Sequence, residues 1–220
     1  MTKLLIMDGD ELKNHILFDK ALHLISNARR NRIEQLHKEE SKRLSLAAGL
    51  LLRYAFLSVN KEHLLDKIQI SDMGKPFLPN HDYFFSLSHS GRFAVCAFSD
   101  APIGCDIEKI RKKIPKYKHK IFSKEEELVF ETLTEVAQIH FFFKLWTAKE
   151  SITKMIGKGI TYPFHSFSIM DHEQVKKITS FEEEQFYLKS YYFENYIVTF
   201  CTKTFEFPEK MEFLTSKQLM

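Results

Sequence analysis

One stretch constrains this chain more than any other: residues 141–160, FFFKLWTAKESITKMIGKGI. Leu145, Ala148, Ile152 and Met155 recur at spacings of three and four, the pattern of one apolar helix face. Gly157 supplies a left-handed stop. A second stripe runs beside the first: Trp146, Glu150 and Lys154, each four apart and therefore stacked on one face. An aromatic ring, a carboxylate and an ammonium in a row have two readings. They are a solvated Glu–Lys pair, worth a few tenths of a kcal/mol, or one wall of a functional site. The choice turns on what complementary groups the rest of the chain offers.

The complement is IGCDIE, Ile103 to Glu108, which reads as a strand. Ile103, Cys105 and Ile107 share one face, and Gly104, Asp106 and Glu108 the other. Two acids two apart on a strand lie roughly 6.5–7 Å apart at Cα. Acids that close repel unless a cation sits between them or one is protonated. Oxygen donors without Cys or His point to a hard cation, Mg²⁺ or Mn²⁺. Gly104 on the same face leaves room for a ligand, and Glu150 would supply a third carboxylate. The competing reading is an exposed strand face whose acids Lys109 and Arg111 neutralise. Cys105, on the apolar face, reads as a core thiol.

The other elements follow from pattern. Leu4–Met7 is a short strand, Leu12–Ile25 loosely helical, and Ser26 an N-cap for a basic helix through Leu36. Glu39–Ser58 is a longer helix with an apolar face of Leu44, Ala47, Ala48, Leu51, Leu52 and Ala55; it also carries Arg43 and Arg53. Met73–Asn80 is a loop holding Lys75 in front of Pro76. Tyr83–Ser88 and Phe93–Phe98 are strands, with His89-Ser90-Gly91-Arg92 as the turn between them. That turn is an ordinary hairpin or a phosphate contact through hydroxyls, imidazole and amides. Ser123 and Glu126 form a capping box at a helix start. Ser166–Met170, Val175–Ile178, Phe186–Tyr192 and Tyr196–Cys201 are strand-like, and the polar tail from Phe205 to Met220 is peripheral. Two halves of similar make-up imply an α+β fold with two pseudo-symmetric subdomains, residues 1–102 and 103–220.

Composition removes several function classes. No apolar run nears the ~18 residues that span a bilayer, and the acidic start MTKLLIMDGDE lacks the h-region of a signal peptide. Three scattered cysteines, Cys96, Cys105 and Cys201, are expected to be reduced thiols in a cytoplasmic protein. The net charge of +3 does not call for nucleic acid. The basic runs ARRNR (28–32) and KIRKKIPKYKHK (109–120) lack interleaved aromatics apart from Tyr117, and read as solvated surface or phosphate contacts. No P-loop and no GxGxxG occurs. Phosphate would be held by a metal and scattered cations, with Lys75, His89, Arg43 and Lys154 as candidates. Read from the residues alone, the chain suits Mg²⁺-dependent chemistry on a diphosphate-containing substrate.

Five segments in order, GKP (74–76), FSLSHSGRFAVCAF (85–98), IGCDIE (103–108), FSKEE (122–126) and LWTAKESITKMIGKGI (145–160), resemble the Sfp-type 4′-phosphopantetheinyl transferases. The likeness runs from about Ser26 to about Ser168. It implies two α+β lobes with coenzyme A and Mg²⁺ in the cleft between them, and a monomer. It implies transfer of the phosphopantetheine arm to a serine of an apo acyl or peptidyl carrier protein, with release of 3′,5′-ADP. Asp106, Glu108 and Glu150 match the family's metal ligands, with Mn²⁺ as an alternative ion, and Glu150 matches its general base. Lys154 matches a lysine at the pyrophosphate. Lys75, Ser88, His89 and Arg43 match coenzyme A contacts, and Trp146 a tryptophan that shapes the site. Glu126 matches an additional acid near the metal, beside its structural alternative as a cap. The lysines usual at positions 28 and 31 are Ala28 and Asn31 here, with Arg29, Arg30 and Arg32 as neighbours pointing about 100° away on a helix. The alternative of another class is a coenzyme A- or nucleotide-binding regulator without transfer activity. Neither nucleic acid nor membrane is expected as a partner.

Overall fold

A computed structural model describes residues 1–80, 82–159, 162–170, 175–181 and 184–220, with backbone only for 175–181 and 184. The chain forms two compact units, residues 1–100 with 208–220, and residues 101–207.

The first unit is built on a four-stranded sheet of β1 (Thr2–Asp8), β4 (Phe84–Ser90), β5 (Phe93–Ser99) and β10 (Glu212–Phe213). Its order is β10-β1-β5-β4; β1 is parallel to β10 and antiparallel to β5. Helices α1 (His15–Leu22) and α2 (Asn27–Glu34) pack on α3 (Glu39–Leu57), and α3 lies on the sheet. The apolar stripe of α3 is expressed as read: Leu44, Ala47, Ala48, Leu51, Leu52 and Ala55 are all buried. A two-stranded ribbon of β2 (Gln69–Ile70) and β3 (Pro76–Phe77) carries Lys75.

Three readings change here. The stretch 73–80 is half of a hairpin, closed where Gly74 N–H donates to Ser71 O (2.8 Å) with Gly74 at φ 77°. His89 and Ser90 end β4 rather than form a turn; Ser90 pairs with Phe93, leaving Gly91 (φ 55°) and Arg92 as the two-residue connection. A glycine with positive φ at the first of two loop positions suits the twist of a hairpin. The tail is not peripheral. Leu214 N–H donates to Ile6 O (2.8 Å), β10 adds to β1, and Leu214 and Leu219 enter the first core. Residues 208–220 therefore belong to the first unit, because Leu214 and Leu219 find cover there that a polar-tail reading overlooks.

The second unit has a four-stranded antiparallel sheet in the order β6-β9-β8-β7. Its strands are β6 (Ile103–Lys109), β7 (Val175–Phe181), β8 (Glu184–Phe193) and β9 (Tyr196–Thr202). α4 (Lys124–Thr132) precedes α5 (Glu135–Ile156), which packs on β6 and β9. Residues 166–170 form no strand; Phe164–Ser166 is a single 3₁₀ turn. The core is rich in phenylalanine: Phe122, Phe130, Phe142, Phe143, Phe164, Phe167 and Phe186 belong to one buried cluster. Rings in edge-on and tilted contact, such as Phe122 with Phe142 and Phe130, pack within it. Cys96, Cys105 and Cys201 are buried core thiols. Among the described residues no helix is long and apolar enough to cross a membrane.

Candidate active site

The 141–160 stretch is the C-terminal part of α5. The helix starts at Glu135, six residues before that stretch, with Thr134 as its N-cap, whose Oγ1 accepts from Ala137 N–H (3.5 Å). It stops at Gly157, φ 78°, where Lys158 N–H reaches back to Thr153 O (3.1 Å). Ile160 lies outside the described residues.

α5 crosses β6 so that its second stripe meets the acidic strand face. Lys154 Nζ donates to Asp106 Oδ1 at 2.6 Å, and Trp146 Nε1 donates to Glu108 Oε1 at 3.2 Å. Later helix residues meet earlier strand residues, so the two elements run antiparallel, with Glu150 midway. Gly104 is what permits this approach. A Cβ there would lie 1.9 Å from Ser151 O and 2.8 Å from Met155 N. The space expected for a ligand is taken by the helix backbone: Gly104 serves close packing, not binding.

The electrostatics follow from burial. Asp106 and Glu150 are each only 4% exposed. Burial, then the charge of Asp106, then that of Glu108 push Glu150 up to about 7, with Lys154 opposing. Burial pulls Lys154 down, but Asp106 and Glu150 outweigh it and hold the ammonium above its usual range. Three carboxylates and one ammonium thus share one helix–strand contact. The donor set is the kind a hard divalent cation takes. The groups are not drawn to one point: among the described residues no three acids, imidazoles or thiols converge as a metal cluster, and Lys154 supplies the positive charge at Asp106.

Glu126 sits in a different network. It completes the capping box, Oε2 accepting from Ser123 N–H (2.8 Å), and Oε1 accepts from Ile169 N–H (2.8 Å). Its Oε2 also accepts from Lys149 Nζ (2.5 Å), and both residues are fully buried. Lys149 donates further to the carbonyls of Ile121, Phe164 and Phe167, each at 2.8 Å. Burial pulls Lys149 down and Glu126 opposes it. The sequence reading passed over Lys149. Its signal was there: it lies four after Leu145 and three before Ile152, inside the apolar stripe, where a lysine requires a buried partner. Hydroxyls add a further tie, Thr147 Oγ1 to Thr199 Oγ1 (2.9 Å) between α5 and β9.

The remaining candidates belong to the first unit. Arg43, near the start of α3, has Nη2 3.9 Å from Asp10 Oδ1. Nearby, Gly9 N–H donates to Arg92 O (2.8 Å) and Arg92 Nε meets Asp8 Oδ2 (3.1 Å). Ser88 is buried and His89 exposed on β4. Lys75 is half-buried, and burial holds its ammonium below the usual range. Arg29 lies against Gly49 and donates to Ser45 O, and Arg30 donates to Leu22 O (3.1 Å).

Sequence comparison now gives the class. Residues 102–201 match the family model described as the 4′-phosphopantetheinyl transferase superfamily, and residues 14–101 that of the 4′-phosphopantetheinyl transferase N-terminal region. The 4′-phosphopantetheinyl transferase Sfp of Bacillus subtilis is 30% identical over 92% of both chains. The 4′-phosphopantetheinyl transferase gsp of Aneurinibacillus migulanus is 30% identical over 80% of this chain and 78% of its own. The rat L-aminoadipate-semialdehyde dehydrogenase-phosphopantetheinyl transferase is 28% identical over 72% of this chain and 59% of its own. The chain belongs to the Sfp-type 4′-phosphopantetheinyl transferase family.

Proposed function

We propose that this transferase moves the 4′-phosphopantetheine arm of coenzyme A onto a serine of an apo acyl or peptidyl carrier protein and releases 3′,5′-ADP. The observation that carries the mechanism is the helix–strand contact of α5 and β6, where Glu150, at about 7, stands beside the Lys154–Asp106 pair. The serine oxygen attacks the phosphorus that bears the pantetheine arm, and the bond from that phosphorus to the bridging oxygen breaks. Glu150 takes the serine proton, and a carboxylate poised near neutrality suits that work. Lys154, held charged, offsets charge building on the departing ADP oxygen. Asp106, Glu108 and Glu150 would hold Mg²⁺, or Mn²⁺ in its place. Bound there, the ion would polarise the pyrophosphate.

Arg43, Lys75, Ser88 and His89 are the coenzyme A contacts in this reading. The half-buried Lys75 would regain its charge beside a phosphate. The protein would act as a cytoplasmic monomer. Exposed Lys112, Lys113, Lys116 and Lys120 offer an acidic carrier helix a complementary face. Reversing their charge should weaken the carrier and leave coenzyme A binding alone; unchanged carrier affinity would remove that face from the account.

Intact-protein mass spectrometry tests the whole. An apo carrier incubated with the enzyme, coenzyme A and Mg²⁺ should gain one phosphopantetheine, and a chelator should abolish the gain. Coenzyme A binding without any gain on several carriers would turn the reading to a binding protein.

A further inference from the structure

Trp146 is the chain's one tryptophan, and its ring is held on three sides. Phe142 stacks at 6.3 Å and 18°, Phe164 meets it edge-on at 5.7 Å and 82°, and Tyr117 leans on it at 5.8 Å and 53°. Phe142 and Phe164 are buried, so two of these walls are fixed by the core. Tyr117 differs: it is 45% exposed and sits in the 3₁₀ segment Lys116–Lys120, within the lysine-rich run. The indole cannot slide without disturbing those rings, and its N–H, a donor only, is spent on Glu108 Oε1. Glu108 is the half-exposed member of the acidic set, the one that burial constrains least.

We propose that Trp146 is a positioning residue: its indole N–H fixes the orientation of the Glu108 carboxylate, and Tyr117 sets the ring from the lysine-rich segment. Glu108 then keeps one oxygen on the indole, on the strand face that also carries Asp106. A residue that orients a metal-binding carboxylate from outside affects ion affinity about tenfold or more. The metal consequence rests on the proposed Mg²⁺ reading; the orientation itself does not.

Two readouts test it on the full-length protein. The first is Mn²⁺ affinity by EPR of the free ion. Trp146→Phe keeps a ring and loses the N–H, and should weaken Mn²⁺ about tenfold, raising the metal concentration needed for turnover and leaving the KM for coenzyme A unchanged. Tyr117→Ala should give a smaller loss in the same direction, and Tyr117→Phe none. The second readout is the single indole N–H resonance, which needs no assignment. It should move upfield in Glu108→Gln and exchange faster with solvent in Glu108→Ala. Wild-type Mn²⁺ affinity in a folded Trp146→Phe protein would overturn the proposal. Should the wild type take up no Mn²⁺, the metal reading fails, and the indole resonance decides alone: movement with Glu108→Gln supports the positioning role, and an unmoved resonance overturns it.

Discussion

At the scale of single residues two buried carboxylates, Glu150 and Glu126, behave oppositely. Glu150 is forced toward its neutral form, since burial and two neighbouring acids outweigh Lys154. Its folded pKa of about 7 lies above the unfolded value of 4.5, so the folded protein holds the proton more tightly. That stabilisation is complete below the unfolded value and is lost as pH rises through 7. Metal-free wild type should lose on the order of 3 kcal/mol of stability between pH 5 and pH 8 by this route, at ~1.4 kcal/mol per pKa unit. Glu150→Gln should be flat across that window, a contrast that urea titrations at each pH can resolve. The same variant should cut carrier modification by about 10²–10⁴-fold, the usual worth of a general base. Wild-type turnover would remove Glu150 from the proton step. Lys149 and Glu126, by contrast, stabilise only as a pair. Lys149→Met strands a carboxylate at zero exposure, and should cost about 3–5 kcal/mol. Adding Glu126→Gln should return part of that, and a double-mutant cycle in urea measures the difference. Equal losses from the single and double changes would mean the ion pair contributes nothing beyond the carbonyl contacts.

At the scale of elements, the site is the contact line of one helix on one strand, and Gly104 sets its closeness. A methyl group at that position meets backbone atoms of α5, Ser151 O and Met155 N, which cannot rotate away. Gly104→Ala should therefore lift the helix, destabilise by ~1–3 kcal/mol or more, and separate Lys154 and Glu150 from Asp106. Thermal melting and carrier modification should fall together in this variant, whereas Lys154→Met should lower modification with a smaller change in melting. The two periodicities that define this contact were legible in the sequence. Period four aligned Trp146, Glu150 and Lys154, and period two aligned Gly104, Asp106 and Glu108. What each face meets was not legible, because periodicity gives a face and not its neighbour. Gly104 was accordingly read as space for a ligand when it is space for a helix. Glu126 could be read as cap or as metal-side acid, and only the placement of Lys149 shows where its oxygens are spent.

At the scale of the whole molecule, the chain leaves its first unit near residue 100 and returns to it after 207. The return is held by few but specific contacts. β10 pairs with β1, Ser216 N–H donates to Glu11 Oε2 (2.7 Å), and Arg53 Nη1 donates to Leu219 O (3.3 Å). Ending the chain at Phe207 removes these and the buried side chains of Leu214 and Leu219. Loss of two core leucines should cost about 2–5 kcal/mol each at most, and the cost should fall on the first unit. Hydrogen exchange should show β1 and α3 losing protection before α5 and β9 do. Uniform loss across both units would mean the tail has a role beyond the first core.

The sequence by itself determined the α+β class, the helix with its paired stripes, the acidic strand, and a family resemblance that the family models then matched. These are local or ordered features: spacing along a helix or strand, capping residues, and motifs in a fixed succession. Only the tertiary structure decided which faces meet, that Lys149 spends its charge inside the core, that Trp146 donates to Glu108, and that the tail closes the first sheet. Each of those joins residues 15 to more than 200 positions apart. Pairings at such distances are selected by burial and hydrogen-bond satisfaction over the whole chain, and the spacing along one helix or strand does not encode them.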